Sequence, residues 1–139
     1  MKKELQEKIF NDFPELYRDR LLPDSVSRMC DGICCGNGWY DTIYELSKEI
    51  HEFCLKHKLT GDRYIRVFQV KQKMGGLRYY IESYELLESI SKELQASITK
   101  AEAKAAVTCE VCGKPGKLCE IRNWYNTLCP IHKDQCEHR

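Results

Sequence analysis

The chain has 139 residues, room for one ordinary domain and too little for two of typical size. Apolar residues make up 42% and charged residues 31%, which excludes a chain left disordered by composition. With 22 Lys and Arg against 21 Asp and Glu the formal charge is +1, which excludes a protein whose whole surface attracts nucleic acid or membrane.

Nine cysteines are present, an odd number that forbids complete intramolecular pairing. The N-terminal run MKKELQEKIFNDF never reaches the uninterrupted apolar stretch of a secretory signal. No window approaches the roughly 18 apolar residues of a membrane span. A soluble protein of the cytoplasm is therefore expected, and in that reducing compartment cysteine clusters bind metal more readily than they form bridges.

In chain order, residues 2–13 are helix-prone up to Phe13-Pro14, and a segment carrying Pro23, Gly32, Gly36 and Gly38 reads as loop. Trp39, Tyr40, Ile43, Leu46, Ile50, Phe53 and Cys54 recur at steps of three and four, predicting an amphipathic helix over 39–57. Residues 64–70 and 77–82 are strand-like runs around Gly75-Gly76, which predicts a hairpin over 64–82. A third helix is expected over 84–107, with Leu87, Ile90, Leu94, Ile98, Ala101 and Ala105 on one stripe. The expected fold class is α+β: a domain over 1–107, with helices packed on a hairpin or small antiparallel sheet, followed by a treble-clef or zinc-ribbon-like unit over 108–139.

That unit rests on two pairs, Cys109-x2-Cys112 and Cys129-x2-His132, separated by sixteen residues. A two-residue gap lets the side chains of one tight turn take adjacent vertices of a tetrahedron, and the long loop folds the second pair over to close it. Cys109, Cys112, Cys129 and His132 are the expected ligands of a zinc ion. Three thiolates and an imidazole leave no vertex for water, as in structural sites. Cys136 and His138 are the alternatives to His132, while Cys119 falls on an expected strand as a packed thiol. A short hairpin is expected around Asn123, and Pro130 suits the first position of a helix. Cys30, Cys34 and Cys35 in the Gly-rich loop, with His51 and Cys54 on the next helix, are candidates for a second metal site or for simple packing.

Charge is uneven along the chain. Residues 1–60 carry nine basic and eleven acidic side chains, whereas 61–83 carry five and two. Arg66, Lys71, Lys73 and Arg78 surround the Gly-Gly turn. If Leu77, Tyr79 and Ile81 face the core, Arg78 and Tyr80 face outward, and an arginine beside a tyrosine can hold a phosphate or carboxylate. The competing expectation is an ordinary solvated sheet face. Trp39 is a candidate either as a core anchor or as a ligand platform.

Three segments occur together: Cys35-Gly36-Asn37-Gly38-Trp39, then Gln69-Val70-Lys71-Gln72-Lys73-Met74-Gly75-Gly76-Leu77-Arg78-Tyr79-Tyr80, then Ala101-Glu102 leading into Cys109-Glu110-Val111-Cys112-Gly113-Lys114-Pro115-Gly116 with Trp124, Thr127-Leu128-Cys129 and His132. Over residues 35–132 this combination resembles a group of small phage- and prophage-encoded proteins that end in a zinc-ribbon-like module. Met74 departs from it, standing where the pattern has an aromatic residue. The resemblance implies a phage or prophage origin, a bacterial cytoplasm and action on host machinery, including inhibition of a defence system. It carries no activity.

The expected function is a non-enzymatic binding protein gripping a host bacterial protein or a small anionic ligand, with no membrane partner. The alternative is a zinc-ribbon nucleic-acid-binding module, against which the acidic first 60 residues count. A metal-dependent nuclease ranks behind both, because the four histidines form no His-His or His-Asn pair, and no catalytic residue is assigned. The oligomeric state stays open, since the helix stripes suit packing within one chain or across a dimer.

Overall fold

The computed structural model describes residues 1–138. Helix α1 (Lys3–Asp12) sets Ile9 and Phe10 into the core and is tied on its wet face by a Lys8–Asp12 ion pair at 2.8 Å. Helix α2 (Tyr40–Lys56) is the centre of the body. Its apolar stripe of Ile43, Leu46, Ile50, Phe53 and Cys54 is buried, as its periodicity predicts. Each such side chain contributes about 1.5–3 kcal/mol on burial.

The segment expected as plain loop holds more order than its glycines suggest. It contains 3-10 turns at Arg18–Leu21, Arg28–Asp31 and Asn37–Trp39, and a two-residue strand β1 (Ile33–Cys34) that pairs in parallel with β2. Two residues are too short to show period-two patterning, so the strand is visible only once its partner is in place.

Strands β2 (Arg66–Lys73) and β3 (Gly76–Glu82) form the expected hairpin, antiparallel, with sheet order β1-β2-β3. The turn is Met74-Gly75 rather than the Gly pair. Both residues are left-handed, at φ 54° and 81°, the twist a two-residue hairpin requires. Register places Val70 opposite Tyr79 and Gln72 opposite Leu77 on one face, and Lys71 opposite Arg78 and Gln69 opposite Tyr80 on the other. Val67, Val70, Leu77 and Tyr79 are buried, and Tyr80 is exposed on the outer face.

Helix α3 (Glu88–Ala105) starts later than its apolar stripe predicts. Glu85 turns into the left-handed region at φ 49°, Leu87 is extended, and its side chain is 69% exposed. The buried stripe is Leu94, Ile98, Ala101 and Ala105, packed on α2 and β3.

Inside the core a polar chain links three elements. Ser47 Oγ donates to the Ile43 carbonyl at 2.7 Å, so it accepts from Tyr17 Oη at 2.7 Å, and Tyr17 in turn accepts from Tyr79 Oη at 2.8 Å. Each hydroxyl proton has one direction to go, and the buried network is satisfied.

The C-terminal unit runs from a Cys109–Gly113 turn into the hairpin β4 (Lys117–Ile121) and β5 (Trp124–Leu128), and then helix α4 (Pro130–Glu137). Arg122 and Asn123 form the second left-handed two-residue turn, and Pro130 takes the first helical position. The fold is α+β with a zinc-ribbon-like C-terminal unit. Among the described residues, no helix is long and apolar enough to cross a membrane.

Candidate metal centre

Cys109, Cys112, Cys129 and His132 bring one ligand atom each into a cluster whose members all lie within 4.8 Å of one another. Sγ of Cys112 stands 3.8 Å from Sγ of Cys129, and Nδ1 of His132 stands 3.2 Å from Cys129 Sγ and 3.6 Å from Cys109 Sγ. The four residues can hold a metal ion, and the imidazole offers Nδ1 as its ligand atom.

Local sequence explains the geometry. Gly113 closes the first turn at φ 81° with its N–H on the Cys109 carbonyl at 2.9 Å. Cys129 is the N-cap of α4, and its sulfur accepts the backbone N–H of His132 at 3.5 Å. Burial opposes ionisation of the Cys109 thiol, but hydrogen bonds from the backbone at Cys129, Cys112 and Val111 outweigh it and bring the thiol down to about 6. Electropositive backbone of this kind is what a thiolate ligand requires.

The alternatives do not join the cluster. Cys136 packs into the small core of the unit, and His138 faces Asp134 at 3.3 Å. Cys119 donates to the Asn126 carbonyl at 3.3 Å. Nor does a second cluster form among the described residues from Cys30, Cys34, Cys35, His51 and Cys54. His51 Nδ1 is bonded to Tyr64 Oη at 2.6 Å, Cys54 and Cys35 are buried, and Cys30 and Cys34 are exposed.

The metal unit is bolted to the body by the segments that stand out in the sequence. Gly38 N–H donates to the Glu110 carbonyl at 2.7 Å, and Gly36 N–H to a Glu110 carboxylate oxygen at 2.9 Å. A Cβ on Gly38 would collide with the Cys109 carbonyl, so only glycine permits this approach. Gln72 Nε2 donates to Tyr125 O at 3.1 Å and to Glu110 Oε1 and Asn126 Oδ1, each at 3.3 Å. Thr127 Oγ1 donates to the Gly75 carbonyl at 2.8 Å. The signal for this junction, glycines and polar residues beside hydrophobic runs, was present in the sequence, but it named no partner.

The remaining candidates separate. Of the two readings of Trp39 the core anchor holds and the ligand platform does not: it is 0% exposed and its Nε1 donates to Thr108 O at 2.9 Å. Arg66 lies at the far end of β2 from the turn, ion-paired with Asp19 at 3.7 Å and Asp62 at 3.9 Å, and so leaves the group expected around the glycines. Lys71, Lys73, Arg78 and Tyr80 do share the outer face of the sheet. Among the described residues no carboxylate lies within 4 Å of the three cations, and Arg78 instead donates to the Leu77 carbonyl at 3.3 Å. Glu102 feels Arg78 at longer range, though burial is the larger influence and raises its carboxyl.

Comparison of the chain with protein-family models, with curated proteins and with solved structures finds no match.

Proposed function

We propose that the chain is a zinc-stabilised, non-enzymatic binding protein of phage or prophage type that acts in the bacterial cytoplasm. Its outer sheet face grips an acidic surface of a host protein or an anionic ligand, and a component of a bacterial defence system fits that role. The observation that carries this reading is the cross-strand pair Lys71–Arg78, followed by Lys73, none of them within 4 Å of a carboxylate among the described residues, with Glu102 reaching Arg78 only at longer range. Like charges directly opposite each other weaken a sheet. An external anion relieves that repulsion, so the cost in stability is explained by binding.

Zinc is favoured by the donor set. Sulfurs about 2.3 Å from a tetrahedral zinc stand about 3.8 Å apart, which matches the Cys112–Cys129 separation of 3.8 Å. Four protein donors complete the shell, as in sites that hold structure.

The test is capture from a bacterial host lysate with the tagged, metal-loaded protein. One zinc per chain is expected. The wild type retains a partner in low salt, and the Lys71→Ala/Arg78→Ala variant loses it without a fall in melting temperature. Equal capture by the folded double variant overturns the reading.

A further inference from the structure

The two left-handed hairpin tips, Met74-Gly75 and Arg122-Asn123, lie side by side and enclose a cleft of about 320 Å³. Its walls are Gln72, Lys73, Met74, Asn123, Trp124 and Tyr125. We propose that this cleft takes the nucleobase of a phosphorylated nucleoside, with the ring against Trp124 and the phosphate toward Lys73. The inference rests on the reading above, because Lys73 belongs to the same cationic face, and it names the chemistry of the anion.

Trp124 is 75% exposed and Met74 63% exposed, although each has an apolar neighbour across the cleft. Indole is the largest apolar ring a chain can offer, and leaving it in water at a turn forfeits much burial. Among the described residues it makes no ring contact, whereas Trp39 is wholly buried. A base sliding over Trp124 would recover that burial, and base–aromatic stacking contributes about 1–3 kcal/mol. The thioether of Met74 gives the opposite wall a polarizable surface suited to a ring.

Polar groups fit the same occupant. Gln72 is spent on the junction with Glu110, Tyr125 and Asn126. Asn123 also lines the cleft, and a carboxamide presents a donor beside an acceptor, the pair that reads the N6/N7 edge of adenine. Lys73 supplies an ammonium, and Lys71 with Arg78 continues the charge along the strand, where further phosphates of a longer ligand would lie. The tips themselves are braced by Thr127 Oγ1 on the Gly75 carbonyl at 2.8 Å, so the cleft is preformed and little ordering opposes binding.

The experiment follows tryptophan emission of the intact, metal-loaded protein titrated with AMP, adenosine, a ten-residue oligo(dA) and poly-L-glutamate. AMP is expected to quench the exposed indole saturably while the buried Trp39 contribution persists. Trp124→Ala abolishes the change and weakens binding, measured by calorimetry, about tenfold or more. Lys73→Ala weakens AMP about tenfold and leaves adenosine unaffected. An oligo(dA) that binds more tightly than AMP, with a steep salt dependence lost in Lys71→Ala/Arg78→Ala, identifies single-stranded nucleic acid as the source of the base. Equal affinities identify a free nucleotide. No saturable quenching by AMP or oligo(dA), or quenching unchanged in Trp124→Ala, overturns the proposal. Poly-L-glutamate binding without AMP or oligo(dA) binding overturns the cleft and leaves the cationic face standing. AMP binding through Trp124 with every polyanion indifferent to Lys71 and Arg78 does the reverse.

Discussion

The backbone N–H of Gly38 donates to the carbonyl oxygen of Glu110 at 2.7 Å, joining the start of the central helix to the loop between the first two cysteines of the metal cluster. Through this contact the metal turn forms part of the wall of the body. Trp39, the next residue, is buried under the same loop with its indole N–H on Thr108 O. Holding the cysteine turn in shape therefore also holds the lid over a core tryptophan.

Metal removal should reach beyond the C-terminal unit. Chelation, or Cys109→Ser with Cys112→Ser, is expected to lower the melting temperature by roughly 10 °C or more, because a metal ion bound only by the folded cluster contributes its binding free energy to folding. Hydrogen exchange should quicken at Gly36 and Gly38 as well as in residues 109–132. Loss of protection confined to the C-terminal unit would count against the coupling.

Gly38→Ala isolates the close approach. The backbone of Gly38 lies outside the left-handed region, so alanine is penalised by steric contact with the backbone of Cys109, Glu110 and Gly113 rather than by its own φ. A cost of about 1–3 kcal/mol is expected, with metal affinity about tenfold weaker. Competition with a chelating indicator checks the second effect, and unchanged affinity would refute the link.

The core hydroxyl chain predicts an asymmetry. Tyr79 lies at the donating end, so Tyr79→Phe removes one hydrogen bond and costs about 1 kcal/mol. Tyr17 lies in the middle, and Tyr17→Phe strands the Tyr79 hydroxyl in a buried site, for about 1–3 kcal/mol. Urea midpoints should fall further for Tyr17→Phe, and the opposite order would reverse the direction of the chain.

Stability should decline in alkali. Burial pushes the Cys35 thiol and the Tyr17 phenol each up to about 12, from ordinary values of 9.0 and 10.0, and burial raises the Tyr79 phenol well above its ordinary value. The unfolded chain gives up these protons first as pH rises and so binds fewer protons than the folded chain. Stability is therefore full below about 9 and is lost between about 9 and 12. Unfolding midpoints measured at neutral and alkaline pH should follow that course, and Cys35→Ala should reduce the early part of the loss. A flat profile to pH 12 would contradict the burial of these groups.

Lys71→Thr should stabilise the fold while weakening anion binding. It removes the like-charge pair with Arg78 and installs a β-branched side chain on a strand, for a gain of about 0.5 kcal/mol. Thermal melts alongside polyanion titrations give both readouts, and a destabilised variant would show that Lys71 is part of the packing.

Much of the architecture was legible because its signals are local. The stripe of Ile43, Leu46 and Ile50 specifies a helix at any position in a protein, and Cys-x2-Cys with Cys-x2-His specifies a metal cluster wherever the two pairs meet. Leu87 misled the same reasoning. It continues the apolar spacing of α3 but lies before the helix, because the left-handed residue Glu85 redirects the chain between β3 and α3 in a way that periodicity does not encode.

By itself the sequence determined the main helices, the hairpins and the spaced cysteines of the cluster, since each follows from the side-chain period or spacing within a short stretch. The structure brought His132 rather than Cys136 or His138 to the three cysteines. Only the tertiary structure decided what Gly38, Gln72 and Trp39 do. Their partners lie 38 to 72 residues away, at Glu110, Tyr125 and Thr108. A backbone amide, a carboxamide and an indole carry no mark of which distant carbonyl they will meet. That choice depends on how the body and the metal turn pack together, and it makes Trp39 a core residue while leaving Trp124 in the open.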